Sequence, residues 1–375
     1  MRLITRDLGA DVQYGHGKNE VNRDGANGRI GRGGISKMTR ICLTPRVHGV
    51  GGMVSFRHKM EAGLKKRGIE TTMDLEGGKY DAVLVIGGTR NLAGLWKARR
   101  RGVRVVQRLN GMNWLHKRLK TGMRHYLRAS YGNWALATIR RRLADGIVYQ
   151  SEFSKAWWER EYGRTRVSNT VVYNAVDLQA YSPEGAHTRP GDVQRILLVE
   201  GSLQGGYEMG LKTAVELAEK LQGEGGMKVE LMVVGRVSEQ VQAEWGERSR
   251  TPIQWAGEVG RERIPEFDRS AHLLYSADIN AACPNSVIEA MACGLPVLAF
   301  DTGALAELVD GGAGRVVPYG GDAWRLDAPD VGALVKGAVE ILGNQKGFRE
   351  GARERAEARF GLDEMVEGYL DALLS

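Results

Sequence analysis

Short apolar runs and amphipathic stretches take turns along most of the chain. Arg40 to Thr44, Asp81 to Ile86, Val103 to Leu109, Gly146 to Gln150 and Thr170 to Tyr173 are rich in β-branched residues and bounded by Gly, Asn or Asp. A second series follows the loop from Tyr181-Ser182-Pro183 to Arg189-Pro190-Gly191, comprising Arg195 to Glu200, Lys228 to Val234, Ile253 to Ala256, His272 to Ser276 and Pro296 to Phe300. Runs this apolar lack the period-2 alternation of half-exposed strands, so both faces are covered, and their alternation with helices predicts parallel βαβ units. The pattern predicts two doubly wound α/β domains, 38–180 and 181–355, with 356–375 as a helix packing back on the first.

Met1 to Lys37 breaks the pattern. It is rich in Gly, Asn, Arg and Asp, shows no apolar periodicity and lacks the apolar core of a signal peptide, so it is expected to be disordered, with Met38 an alternative start. Acidic residues offset its basic ones, which argues against a nucleic-acid arm. A length of 375 residues suits two domains; 42% hydrophobic and 26% charged residues, with a mean hydropathy of −0.33, exclude a disordered chain or a fibre. No apolar run approaches the ~18 residues of a membrane span. Cys42, Cys283 and Cys293 are odd in number and far apart, which excludes a disulfide framework or a four-cysteine zinc site and suits a reducing, cytoplasmic compartment.

In doubly wound sheets ligands bind beyond the carboxyl ends of the strands, so three strand-to-helix loops matter most. The first, Thr44 to Gly52, runs through His48-Gly49-Val50-Gly51-Gly52 into a helical stretch; its glycines permit close backbone approach and the helix start favours an anion, although a tight turn without ligand fits equally. The second is Cys283-Pro284-Asn285-Ser286-Val287-Ile288-Glu289-Ala290-Met291-Ala292-Cys293-Gly294. Asn285 or Ser286 would cap a helix with Glu289 one turn in, where a carboxylate can accept from both hydroxyls of a ribose; a solvated face is the plainer reading of that helix. The third, Glu200-Gly201-Ser202-Leu203-Gln204-Gly205-Gly206-Tyr207, is Gly-rich and carries no cation.

Together these loops resemble the retaining glycosyltransferases of family 4, whose GT-B architecture sets two Rossmann-like domains across a cleft. Pro284 to Val297 is similar to that family's Glu-Ala-Met-Ala-x-Gly-x-Pro-Val signature, and Tyr173-Asn174-Ala175-Val176-Asp177 to its linker motif. The resemblance implies sugar transfer with retention from a nucleotide-diphosphate donor, which is a co-substrate, with neither cofactor nor metal. It places the donor on Glu289, on the amides of Asn285, Ser286 and Val287, on Ser202 and on Gly51 and Gly52. Three positions depart from the family pattern: Ala281 replaces an acid eight residues before Glu289, Asn110-Gly111 replaces an acceptor-side His-Gly, and Ser202 with Tyr207 or Met209 replaces the Arg and Lys that neutralise the leaving diphosphate. Charge growing on that phosphate needs a preorganised positive partner. Arg236 after the second C-domain strand, Arg108 and two helix starts are the candidates, and Asn110, Arg236 and Glu289 form the expected catalytic set.

The net charge of +8 is concentrated. Between Asp81 and Asp145 there are fifteen Lys and Arg and no acid, and Trp114 to Arg128 alternates bulky and basic residues at near-helical spacing. Such a surface suits anionic lipid, so 114–142 is the expected contact with the inner face of a membrane, and the acceptor is expected to be a glycan or a lipid-linked saccharide. No nucleic-acid module accompanies the charge. His48 and His116 are candidate acid–base groups. Trp157-Trp158 carries no assigned chemistry. A sugar-nucleotide epimerase and a non-catalytic binding protein are the rival readings.

Overall fold

The computed structural model describes residues 39–375 except 48, 50, 120–121, 204–207 and 224–225 and the Ser202 side chain; the expected N-terminal tail and its alternative start lie outside that range. Two six-stranded, all-parallel sheets form the two lobes. In the N-terminal lobe β1 (Arg40–Thr44), β2 (Glu70–Thr72), β3 (Ala82–Ile86), β4 (Arg104–Leu109), β5 (Gly146–Tyr149) and β6 (Ser168–Val171) lie in the order β2-β1-β3-β4-β5-β6. In the C-terminal lobe β7 (Gln194–Ser202), β8 (Val229–Arg236), β9 (Ile253–Gly257), β10 (Leu273–Ser276), β11 (Val297–Phe300) and β12 (Gly314–Val317) lie in the order β12-β11-β10-β7-β8-β9. Every residue of β3, β5, β10 and β11 is buried, as strands sandwiched between helix layers must be. Two edge strands, β2 and β12, add to the expected set: each is short and partly exposed, so neither carries the continuous apolar run of a covered strand.

Helices α1 (Gly52–Lys66), α2 (Leu92–Arg100), α3 (Met123–Thr138) and α4 (Glu152–Tyr162) belong to the first lobe. The second carries α5 (Glu208–Gly223), α6 (Glu239–Arg248), α7 (Ile264–Ser270), α8 (Asn285–Ala292), α9 (Leu305–Leu308), α10 (Val331–Gly343) and α11 (Gln345–Arg359). Side chains of Asn91, Ser151, Ser238, Asp330 and Asn344 accept from backbone N–H groups at the starts of α2, α4, α6, α10 and α11. Among the described residues the starts of α1 and α8 have no such cap, which leaves their first amides available to a ligand.

The chain crosses between lobes twice, side by side. Ala175 packs in the core under β1 and β3, whereas Val176 packs in the core around α8. The last helix, α12 (Leu362–Leu374), then returns: Met365, Val366, Tyr369, Leu370 and Leu373, spaced as one helical face, join Ile41, Phe56 and Met60 in the first lobe. The N–H of Val176 donates to Phe360 O at 2.9 Å, so the two crossings are bonded to each other.

Candidate active site

A cleft of about 720 Å³ runs between the lobes, walled by the carboxyl ends of both sheets. Gly51, Gly52, Asn110, Asn285, Ser286 and Glu289 all line it. The loop before α8 is fixed by backbone chemistry. Asn280 takes a left-handed conformation (φ 56°), Ala304 N–H donates to Ala281 O at 2.8 Å, and any side chain at Gly303 would meet the Ala281 backbone at 2.5 Å. This delivers the uncapped start of α8 to within van der Waals reach of α1, where a Cβ at Gly52 would lie 3.7 Å from Asn285 Nδ2. Two free helix N-termini therefore converge in one cleft, an arrangement that attracts an anion from both sides.

Glu289 faces the cleft from the first full turn of α8, its side chain 13% exposed. Lys59 of α1 holds it across the lobes: Lys59 Nζ lies 3.2 Å from Glu289 Oε1 and donates to Ala175 O at 2.7 Å. One carboxylate oxygen is pinned by this cation, and the other has no bonded partner among the described residues. Lys59 was not expected; in sequence it is an ordinary helix lysine, and its partner lies 230 residues away.

Arg108 sits beneath the cleft, 2% exposed, without a carboxylate partner among the described residues. Its guanidinium stacks on Phe56 at 4.0 Å, donates to Asn174 Oδ1 at 3.0 Å, and meets the Gln150 amide oxygen at 2.6 Å when that amide is oriented to accept. Burial pushes its pKa below the ordinary arginine value. Asn174 in turn donates from Nδ2 to Cys283 O at 2.8 Å, tying the linker to the α8 loop. A buried cation held by neutral groups keeps its attraction for an anionic ligand. Arg108 and Arg261 are the basic side chains among the described lining residues.

The other expected residues fall differently. Arg236 does not line the cleft; as the last residue of β8 it is exposed, with Nη2 2.8 Å from Glu258 Oε1. Val287 points into the core, leaving only its N–H for a ligand. Ser202 ends β7 with its side chain outside the described part, and His48, Lys120 and Tyr207 also lie outside it. His116 is buried below α3, with Nε2 3.3 Å from Ser130 Oγ, and does not line the cleft; burial and nearby Lys117 push its pKa down. Instead of one continuous basic helix from Trp114, a short turn (Leu115–Lys117) precedes α3, with Gly122 breaking between them at φ 84°. Asn110 rests on the tryptophan pair, its carbonyl accepting from Trp158 Nε1 at 2.7 Å.

Two carboxyls were missed. Glu200 at the end of β7 and Asp278 beyond β10 lie beside each other in the cleft wall, and neither has a basic partner among the described residues. Burial raises both pKa values, that of Glu200 well above the usual range with Asp278 adding repulsion. A neutral carboxyl can donate a hydrogen bond to an oxyanion, so the pair is not bound to repel a phosphate. The signal available in sequence was a Glu at the tip of an otherwise apolar strand.

The architecture recurs in solved proteins. Sucrose-phosphate synthase from Thermosynechococcus elongatus superposes with a TM-score of 0.69 at 15% identity, covering 89% of this chain and 98% of that one. A glycosyltransferase from Rickettsia africae gives 0.64 at 15% identity, covering 90% and 97%. The fold is that of the GT-B glycosyltransferases. Another GT-B structure, HepE from Anabaena solved with UDP and glucose, gives 0.62 at 15% identity over 89% of this chain and 99% of that one. Residues 194–344, most of the C-terminal GT-B lobe, match the family model described as glycosyl transferases group 1. A curated relative, the 2-deoxystreptamine glucosyltransferase of Streptomyces kanamyceticus, is 26% identical over 212 residues, which is 52% of this chain; the match spans about half (50%) of that protein.

Proposed function

We propose that the protein is a metal-independent, retaining glycosyltransferase that takes a hexose from a nucleotide-diphosphate donor in the cleft to a glycan or lipid-linked acceptor on the N-terminal lobe. The observation that carries this reading is the meeting of Glu289, one turn into α8, with the uncapped starts of α8 and α1. Glu289 accepts from the ribose, and the amides of Asn285 to Val287 and of Gly51 and Gly52 receive the diphosphate. Arg108 supplies the buried positive charge that the leaving phosphate needs, with Arg261 at the rim, in place of the cations absent from the β7 loop. In retention the acceptor attacks on the face the phosphate leaves, and that phosphate takes the acceptor's proton. The UDP in HepE and the glucosyl transfer in the relative's name support the donor class.

The protein works at the inner face of a membrane on this reading. No described helix is long and apolar enough to cross one, but α3 exposes Met123 (73%), Leu127 (60%) and Trp134 (55%) together with Tyr126 and Tyr131, among Arg124 and Arg128. Apolar and aromatic side chains interleaved with cations are what an interfacial helix presents. The deciding experiment incubates purified protein with UDP-, GDP- and ADP-hexoses and an acceptor extract. Acceptor-dependent release of nucleotide supports the proposal. A non-catalytic sugar-nucleotide binder, favoured by the Glu200–Asp278 pair where cations are usual, would bind nucleotide and release none.

A further inference from the structure

A second cavity, of about 440 Å³, opens beside the cleft and shares Met112, Trp114 and Trp157 with its wall. It exists because the C-terminal lobe sends one side chain across: Trp324 packs edge-on against Trp114 (5.2 Å) and Trp157 (4.8 Å). The turn that carries Trp324 is built for delivery. Asp322 Oδ1 accepts from Trp324 N–H at 2.9 Å, Tyr319 OH donates to Asp327 O at 2.7 Å, and Leu326 between them is held left-handed at φ 59°. A left-handed leucine costs ~1 kcal/mol or more and persists only where its surroundings enforce it.

The charge around this cavity is one-sided. Lys117 and Arg118 line it with no acidic or hydrogen-bonding partner for either side chain among the described residues. Arg160 lies over the Trp324 ring at 4.7 Å, with Glu161, 3.2 Å from it, the one carboxylate among the described lining residues. On the inner side Asn133 is locked, accepting from Asn113 N–H at 3.0 Å and donating to Asn113 O at 2.7 Å, so the loop bearing Trp114 is rigid. Indole rings offer apolar surface against which a sugar ring can pack, while a point charge such as lysine and a fork such as arginine suit phosphate.

We infer that this cavity is an acceptor subsite for a phosphorylated sugar, whose ring lies against Trp114 and Trp324 and whose phosphate lies between Lys117 and Arg118. The inference rests on the glycosyltransferase reading for the word acceptor, and names what that reading leaves open. The shared chemistry is a hexose bearing phosphate, free or as the head of a lipid phosphodiester.

Calorimetry on the full chain tests it with glucose 6-phosphate, glucose, inorganic phosphate and dodecyl glucosyl phosphate as probes. The expected result is binding of a glucosyl phosphate at least tenfold tighter than of glucose or phosphate, with the monoester preferred if the acceptor is free and the dodecyl diester if it is lipid-linked. Lys117→Gln with Arg118→Gln, both exposed and safe for folding, weakens that binding at least tenfold, as does Trp324→Ala, and UDP affinity stays unchanged. No preference for the phosphorylated sugars, an unaltered affinity in the double variant, or displacement of the sugar phosphate by UDP overturns the inference. Absence of UDP binding in the same cell would instead sink the donor assignment and leave this subsite standing.

Discussion

The Glu289 carboxylate makes a claim about ribose that can be measured without knowing the acceptor. Lys59 lies 3.2 Å from Oε1 on the side away from the free oxygen. At an effective dielectric of about 20 that separation corresponds to roughly 5 kcal/mol of attraction before desolvation, enough to fix the carboxylate in the cleft. Glu289 is 13% exposed, so a ribose hydroxyl donating to Oε2 displaces little water and forms a charge-assisted bond worth roughly 1.5–3 kcal/mol. Wild-type protein should therefore bind UDP about 10- to 150-fold more tightly than 2′,3′-dideoxy-UDP. Glu289→Ala should abolish most of that preference by weakening UDP alone, whereas Glu289→Gln, which keeps a neutral partner for Lys59, should lose about half of it in free energy. Calorimetry of both nucleotides against the three proteins gives the answer. Equal binding of the two nucleotides by wild type, or an equal loss for both in Glu289→Ala, refutes the ribose contact.

Arg108→Met should weaken UDP about tenfold or more and uridine little, because the buried guanidinium meets phosphate rather than base; equal losses by calorimetry would remove it from the diphosphate site. Leu127→Ser with Trp134→Ser should weaken affinity for anionic vesicles about a hundredfold or more, read by cosedimentation, since each fully buried apolar side chain contributes about 1.5–3 kcal/mol, and unchanged sedimentation would end the role of α3 at a membrane. Burial holds the Asp268 carboxyl, which has no basic hydrogen-bond partner among the described residues, and the Glu200 and Asp278 carboxyls above the usual range. Their stabilising protonation is complete below the unfolded pKa near about 4 and is lost as pH rises through the raised folded values, so urea-derived stability should fall as pH climbs above the ordinary carboxyl range. Asp268→Asn should flatten that fall; an unchanged slope would show that this carboxyl is ionised in the fold.

Covered strands were legible because burial on both faces writes itself as uninterrupted Val, Ile and Leu, as in Ala82–Ile86. The edge strands Glu70–Thr72 and Gly314–Val317 were not, because a strand with a wet side needs no such run. Glu289, Asn285 and the glycines at 51 and 52 could be picked out since each is local: a helix start plus a residue one turn away. Lys59, Glu200 and Asp278 gain their meaning from partners far along the chain, and nothing in a window of sequence records that. Arg236 illustrates the converse. Its place near a strand end predicted a cleft cation, yet as the last residue of β8 it pairs with Glu258 and faces solvent.

The paired crossings at Val176 and Phe360 have a mechanical consequence. Two tethers fastened together at one point behave as the pin of a door, permitting the halves to swing about a single line while resisting twist or slide. A sugar nucleotide entering by such a swing would leave both sheets untouched, with the Lys59–Glu289 pair, which spans the lobes, as the contact the swing loads. A chain ending before Leu362 keeps every group named in the cleft but loses one of the two tethers, and the rotation that brings those groups together loses its axis.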